Sequence, residues 1–122
     1  MHDPRMTDLA RLLVGHSTAI QPGEHLLIEA FDLPEAMVIE VIRACRDAGG
    51  HPHVAIRNNR VTRALIEGGH ETQFATMAAS DLERMKRMDA YIGLRGGFNI
   101  NEMSGVPAED LKAWGAGYMK PV

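Results

Sequence analysis

Two strand-like segments separated by one amphipathic helix constrain the fold of this 122-residue chain more than any other feature. Residues 25–31 are mostly apolar, residues 34–48 carry an apolar stripe at helical spacing, and residues 51–56 again favour a strand. Pro34 suits the first turn of the helix, and Gly49-Gly50 supplies its stop. A strand, a helix and a strand within about 30 residues make a βαβ unit, which requires a parallel sheet and a right-handed crossover.

The segments at the two ends of the chain extend this α/β pattern. Residues 4–18 have the spacing of an amphipathic helix, and residues 90–95 favour a third strand. A last helix is predicted to open at Val106-Pro107, with Glu109 and Asp110 near its positive end.

The middle of the chain has a weaker pattern. A short helix is predicted from Asn59 or Arg60 to Glu67, whereas residues 71–79 favour no single type of structure. A capping box from Ser80 to Glu83 predicts that a helix begins there and runs to about Met88. The predicted class is therefore α/β: a small, Rossmann-like, three-layer domain with a mostly parallel sheet of at least three strands. At this length, residues 1–122 are expected to form a single domain.

Composition excludes several classes of protein. The formal charge of −3 argues against sequence-independent nucleic-acid binding, which needs a basic surface. No apolar run approaches the roughly 20 residues of a membrane span, and the first residues lack the basic start and apolar middle of a signal peptide. Cys45 is the only cysteine, which precludes an intrachain disulfide and makes a cytoplasmic location the default expectation.

Polar side chains follow the first and third predicted strands. Asp32 and Glu35 come after the first strand, and Asn99, Asn101 and Glu102 come after the third. The carboxyl ends of parallel strands meet at one edge of a sheet, where α/β proteins place ligand-handling groups. Asn99, Asn101 and Glu102 are therefore the candidates for facing a substrate cavity or a neighbouring domain. The alternative is that these residues are solvated turn and capping residues.

Two further motifs have a functional and a structural interpretation. Arg95, Gly96 and Gly97 could approach an anion, but two adjacent glycines without a longer motif also permit a tight turn. His51 and His53 share one face of a strand and could hold a metal ion. Because no third ligand is evident nearby, polar groups at the entrance of a strand are the favoured interpretation. Cys45 lies on a helix stripe that is expected to be buried, where cysteine behaves as a small hydrophobic residue.

Several collinear segments resemble the N-terminal region of the aminopeptidase T family, the two-metal leucyl aminopeptidases of bacteria. These segments are Leu9-Ala-Arg-Leu-Leu-Val14, Gln21-Pro-Gly-Glu24 with Leu27-Ile-Glu29, Ala48-Gly-Gly-His-Pro-His-Val54 and Asn99-Ile-Asn-Glu-Met-Ser-Gly-Val-Pro-Ala-Glu-Asp-Leu111. Their order and spacing carry the resemblance, which covers most of the chain.

The resemblance implies an enzyme that removes N-terminal, leucine-like residues from peptides. Two divalent ions, zinc or cobalt, would polarise the scissile carbonyl and generate hydroxide. It also implies that the metal-binding Glu, His and Asp residues lie in a C-terminal domain that this chain lacks. The expectation is therefore no catalytic residue, metal ligand or cofactor within this chain. The expected partners are the catalytic domain, the peptide substrate and, through exposed apolar surface, a second copy of the chain.

Three alternatives remain open from the sequence. The same architecture resembles that of a ring-cleaving dihydroxypyridine dioxygenase, which uses iron. A free-standing module that binds a small anion through Arg95, Gly96 and Gly97 is the second alternative. An assembly domain without a ligand is the third.

Overall fold

A computed structural model of the chain describes residues 4–96 and 106–119. The described residues form five α-helices and three strands, in the order α1 (Pro4–Leu12), β1 (His25–Phe31), α2 (Glu35–Asp47), β2 (His51–Arg57), α3 (Asn59–Ile66), α4 (Glu71–Lys86), β3 (Ala90–Arg95) and α5 (Ala108–Trp114). Two π-helical turns, Leu13–Ser17 and Gly115–Met119, follow α1 and α5 directly. The chain divides into two compact units: one holds α1, α2 and the three strands, and the other holds α3, α4 and α5.

The three strands form one parallel sheet in the order β2-β1-β3. His25 is opposite His51 in one ladder, and Leu26 is opposite Ala90 in the other. The Asp89 backbone N–H donates to the His25 carbonyl at 2.8 Å, which extends the β1–β3 pairing by one residue. The α/β class and the parallel sheet of at least three strands are therefore confirmed.

One face of this sheet carries the core of the first unit. Leu26 and Ile28 of β1 are fully buried, and they belong to one apolar cluster with residues of α1, α2 and β3. Side chains alternate along a strand, so His25, Leu27, Glu29 and Phe31 lie on the opposite face of β1. One face of the sheet is therefore aliphatic, and the other carries the polar side chains of His25 and Glu29 beside Leu27 and Phe31.

The second unit is held together by an aromatic cluster. The Phe74 ring meets the Trp114 ring edge-on with centroids 5.2 Å apart, and Trp114 stacks on Tyr118 at 4.3 Å. The Tyr118 hydroxyl donates to the Asp81 carboxylate. Two of these three rings are nearly inaccessible to solvent, Phe74 at 0% and Tyr118 at 7% exposure. These contacts attach α5 and the turn after it to α4.

Two predictions for the second unit have different outcomes. The short helix is confirmed as α3, and the Asn58 side chain caps it by accepting from the Arg60 and Val61 N–H groups. The prediction that a helix begins at the Ser80 capping box is wrong, because residues 71–86 form one continuous helix with His70 as its N-cap. Phe74 and Ala78, one turn apart, are buried on one face of this helix, and tertiary packing of that face outweighs the local capping signal.

Of the two terminal helices, the last agrees with its predicted start and the first differs from its predicted extent. The first was predicted to span residues 4–18, whereas regular α-helix ends at Leu12 and a π-helical turn follows. The last begins at Ala108, with Pro107 as its N-cap residue. Among the helices of residues 4–96 and 106–119, none combines the length and the apolar character needed to cross a bilayer.

Candidate functional site

The carboxyl edge of the sheet brings together the ends of β1 and β3. The Arg95 guanidinium lies over the Phe31 ring, 4.3 Å from its centroid. The Gly96 N–H donates to the Phe31 carbonyl at 2.9 Å, so this N–H is engaged within the fold. Arg95 is thus an exposed cation at the edge where the sequence places ligand-handling groups. The predicted candidates Asn99, Asn101 and Glu102, and Gly97, lie outside the described residues.

Gly96 has a packing role that its sequence motif does not reveal. A Cβ atom at this position would lie 2.5 Å from Leu33 Cδ2 and 3.2 Å from the Asp32 carbonyl oxygen. Asp32 itself adopts a left-handed backbone conformation, with φ of 54°. The end of β3 therefore lies so close to the turn after β1 that a side chain at Gly96 would require Leu33 to move. The anion-binding hypothesis for Arg95, Gly96 and Gly97 stays a prediction that rests on Arg95 among the described residues.

A hydrogen-bonded network crosses the polar face of the sheet. Arg57 Nε of β2 lies 2.5 Å from Glu29 Oε2 of β1, and the Tyr91 hydroxyl of β3 donates to Glu29 Oε1 at 2.6 Å. Glu29 is thus held from both neighbouring strands, and both of its carboxylate oxygens are engaged. Gly93 gives the tyrosine room, because a Cβ there would come 2.9 Å from the Tyr91 hydroxyl.

This network fixes the protonation state of Tyr91. Burial, followed by the hydrogen bond to Glu29 and the negative charge of that carboxylate, raises the pKa of Tyr91 to about 12. At neutral pH the phenol is therefore protonated and donates its hydrogen. It is a positioning and hydrogen-bonding group and is not available as a base or a nucleophile.

Three histidines meet at the amino edge of the same face. His25 opens β1 and His51 opens β2, and their ring centroids lie 5.0 Å apart. His25 Nδ1 lies 2.9 Å from His53 Nε2. The sequence pattern associates His51 with His53 and does not include His25. Only the strand register, which places the first residues of β1 and β2 opposite each other, reveals the third member.

Within residues 4–96 and 106–119, no group of three or more His, Cys, Asp or Glu side chains is arranged to hold a metal ion. These residues therefore do not fit the two-metal centre that the family resemblance implies. Cys45 is fully buried, and burial raises the pKa of its thiol, so the reactive thiolate is disfavoured.

Comparisons with known proteins agree with this fold. The structure is similar to wild-type AmpT from Thermus thermophilus, with a TM-score of 0.75 and 13% sequence identity. The similarity covers 97% of this chain and 31% of that protein, so the chain spans about a third of its length. No curated protein shows significant similarity to the chain. Residues 2–120 match the family model described as thermophilic metalloprotease (M29), and this chain therefore belongs to that peptidase family.

Proposed function

We propose that this chain is the N-terminal, non-catalytic domain of a two-metal aminopeptidase that releases leucine-like residues from peptides. The observation that carries the proposal is the family match, which extends over residues 2–120. The peptidase chemistry of such an enzyme depends on metal ions, zinc or cobalt in this proposal. Those ions would be held by residues of the enzyme outside this chain.

The arrangement of the described side chains supports a non-catalytic role. In the Glu29, Arg57 and Tyr91 network, the polar side chains of the sheet bond to one another. A tyrosine with a pKa of about 12 and a carboxylate with both oxygens engaged are poorly suited to activating water at neutral pH. The network instead joins β2 and β3 to β1.

The proposed partner of this domain is the catalytic part of the same enzyme. Asn99, Asn101 and Glu102 follow the carboxyl end of β3, next to the exposed Arg95, and in this proposal they face the substrate cavity. The peptide would thus contact the polar groups of this domain and the metal ions of the catalytic part. Self-association and a cytoplasmic location belong to the same proposal. The family match is to a metalloprotease, so the dioxygenase alternative is not favoured.

Aminopeptidase assays of the purified chain test the non-catalytic role. We expect no release of p-nitroaniline from leucyl-p-nitroanilide when the chelator-treated chain is supplied with Zn²⁺ or Co²⁺. A complete member of the M29 family, assayed in the same buffers, is the positive control. Metal-dependent turnover by the chain, lost again on adding chelator, would contradict the proposal. Binding of an ion without turnover agrees with it.

A further inference from the structure

We propose that His25 and His53 form a binding site for one first-row divalent metal ion, with copper(II) favoured. The site is independent of the proposed peptidase chemistry. It lies at the amino edge of the sheet, whereas Arg95 lies at the carboxyl edge.

The sheet register brings the two imidazoles together. Leu27 is opposite His53 in the parallel ladder, so His25 and His53 are diagonal neighbours on the same face. Their facing nitrogens, Nδ1 of His25 and Nε2 of His53, are 2.9 Å apart. Both side chains are partly buried, and the adjacent His51 is exposed, so water and ions can reach this edge.

The two nitrogens are close enough for both to bind one ion. Imidazole nitrogen binds these metals at about 2.0–2.1 Å, so two ligands at a right angle on one ion are separated by about 2.9 Å. Two ligands of a tetrahedral ion would be about 3.4 Å apart. The observed 2.9 Å is that of an N–H···N hydrogen bond between the two rings, and a bound ion would take the place of that hydrogen after a small movement of either ring. Copper(II) is favoured, because it binds a given set of nitrogen ligands more tightly than the other first-row divalent ions do.

The surroundings hold the pair in place. The backbone of His25 is fixed on both sides, because its N–H donates to Asp89 Oδ2 at 2.8 Å and its carbonyl accepts from the Asp89 N–H. The His51 ring lies beside the His25 ring, with an interplanar angle of 34°. Among the described residues there is no group of three side chains that could hold a metal ion, so the three histidine rings do not form a three-ligand site. The proposed site therefore has two imidazole ligands, and water completes the coordination.

Copper(II) titration followed by pulsed electron paramagnetic resonance tests this site. All proteins carry His2→Gln, because a terminal amine followed by histidine binds copper by itself. We expect one ion per chain and remote-nitrogen signals from two imidazoles. His25→Gln and His53→Gln, each with an unchanged circular dichroism spectrum, are expected to weaken copper binding at least tenfold. His16→Gln, which alters an exposed histidine outside the sheet, is the matched control and should leave affinity unchanged.

Two results would overturn the proposal. One is a spectrum with a single coordinated imidazole in the His2→Gln protein, which needs no further variant to interpret. The other is an affinity that His25→Gln and His53→Gln leave unchanged. Either result would mean that the 2.9 Å contact is only a hydrogen bond between two rings.

Discussion

At the scale of single residues, the polar face of the sheet is organised around Glu29. Its carboxylate joins Arg57, 28 positions away, and Tyr91, 62 positions away. The sequence shows each of these residues, but their contacts depend on the register of strands that are distant along the chain. For the same reason the sequence associates His51 with His53 and misses His25. Local patterns predict elements well and predict cross-strand side-chain partners poorly.

The phenol of Tyr91 should make the free energy of unfolding depend on pH in the alkaline range. Its pKa in the folded chain is about 12, above the ordinary value of about 10 that applies when the chain is unfolded. Between these values the unfolded state has lost the proton and the folded state keeps it. The free energy of unfolding should therefore fall as the pH rises from about 10 to about 12. Urea denaturation across this range should show the fall, and Tyr91→Phe should make the fall smaller.

The same variant supplies the control for this prediction. Absorbance of tyrosinate in the parent protein, minus that in Tyr91→Phe, isolates the titration of Tyr91 from that of Tyr118, the other tyrosine. Glu29→Gln should lower the Tyr91 midpoint, because the carboxylate charge that favours the protonated phenol is lost. A midpoint near 10 in the parent protein would show that the contact with Glu29 does not exist in solution.

At the scale of elements, apolar periodicity predicts β1, α2 and β2 closely, because these elements carry strong local patterns between clear turn signals. The periodicity is weaker in residues 71–79, and there the capping signal at Ser80 is misleading. The continuous α4 is stabilised by Phe74 packing against Trp114, 40 positions along the chain, which no local rule detects. Gly117 belongs to the same cluster, because a Cβ there would lie 2.8 Å from the Cβ of Phe74.

Substitution of two nearby glycines tests this packing. Gly117→Ala should destabilise the second unit by about 1–3 kcal/mol, because the new methyl group would also lie 3.0 Å from the backbone oxygen of Glu71. Gly115→Ala is the matched control: it has helical dihedrals and no neighbour within 4 Å of the added methyl. That change should be neutral or stabilise by up to about 1 kcal/mol.

Fluorescence of Trp114, the only tryptophan, reports directly on unfolding of this cluster, because its ring lies between Phe74 and Tyr118. Urea unfolding followed at this ring compares the two variants with the parent. Equal stability of Gly117→Ala and Gly115→Ala would mean that the turn after α5 does not pack closely on α4 in solution.

At the scale of the whole molecule, the fold class follows from the sequence and the family from collinear motifs, and both are confirmed. The candidate residues Asn99, Asn101 and Glu102 stay predictions, because they lie outside the described residues. The central claim is that this α/β domain supports a peptidase centre built from another part of the same enzyme. It rests on a family match over nearly the whole chain.

The intact mass of the protein as its source cells make it tests this claim most directly. Mass spectrometry of the purified native protein is the measurement. We predict a polypeptide well above the 13.4 kDa of these 122 residues, with clustered Glu, His and Asp residues in the additional sequence. A native protein of 13.4 kDa would contradict the account, because no second domain would exist to carry the chemistry.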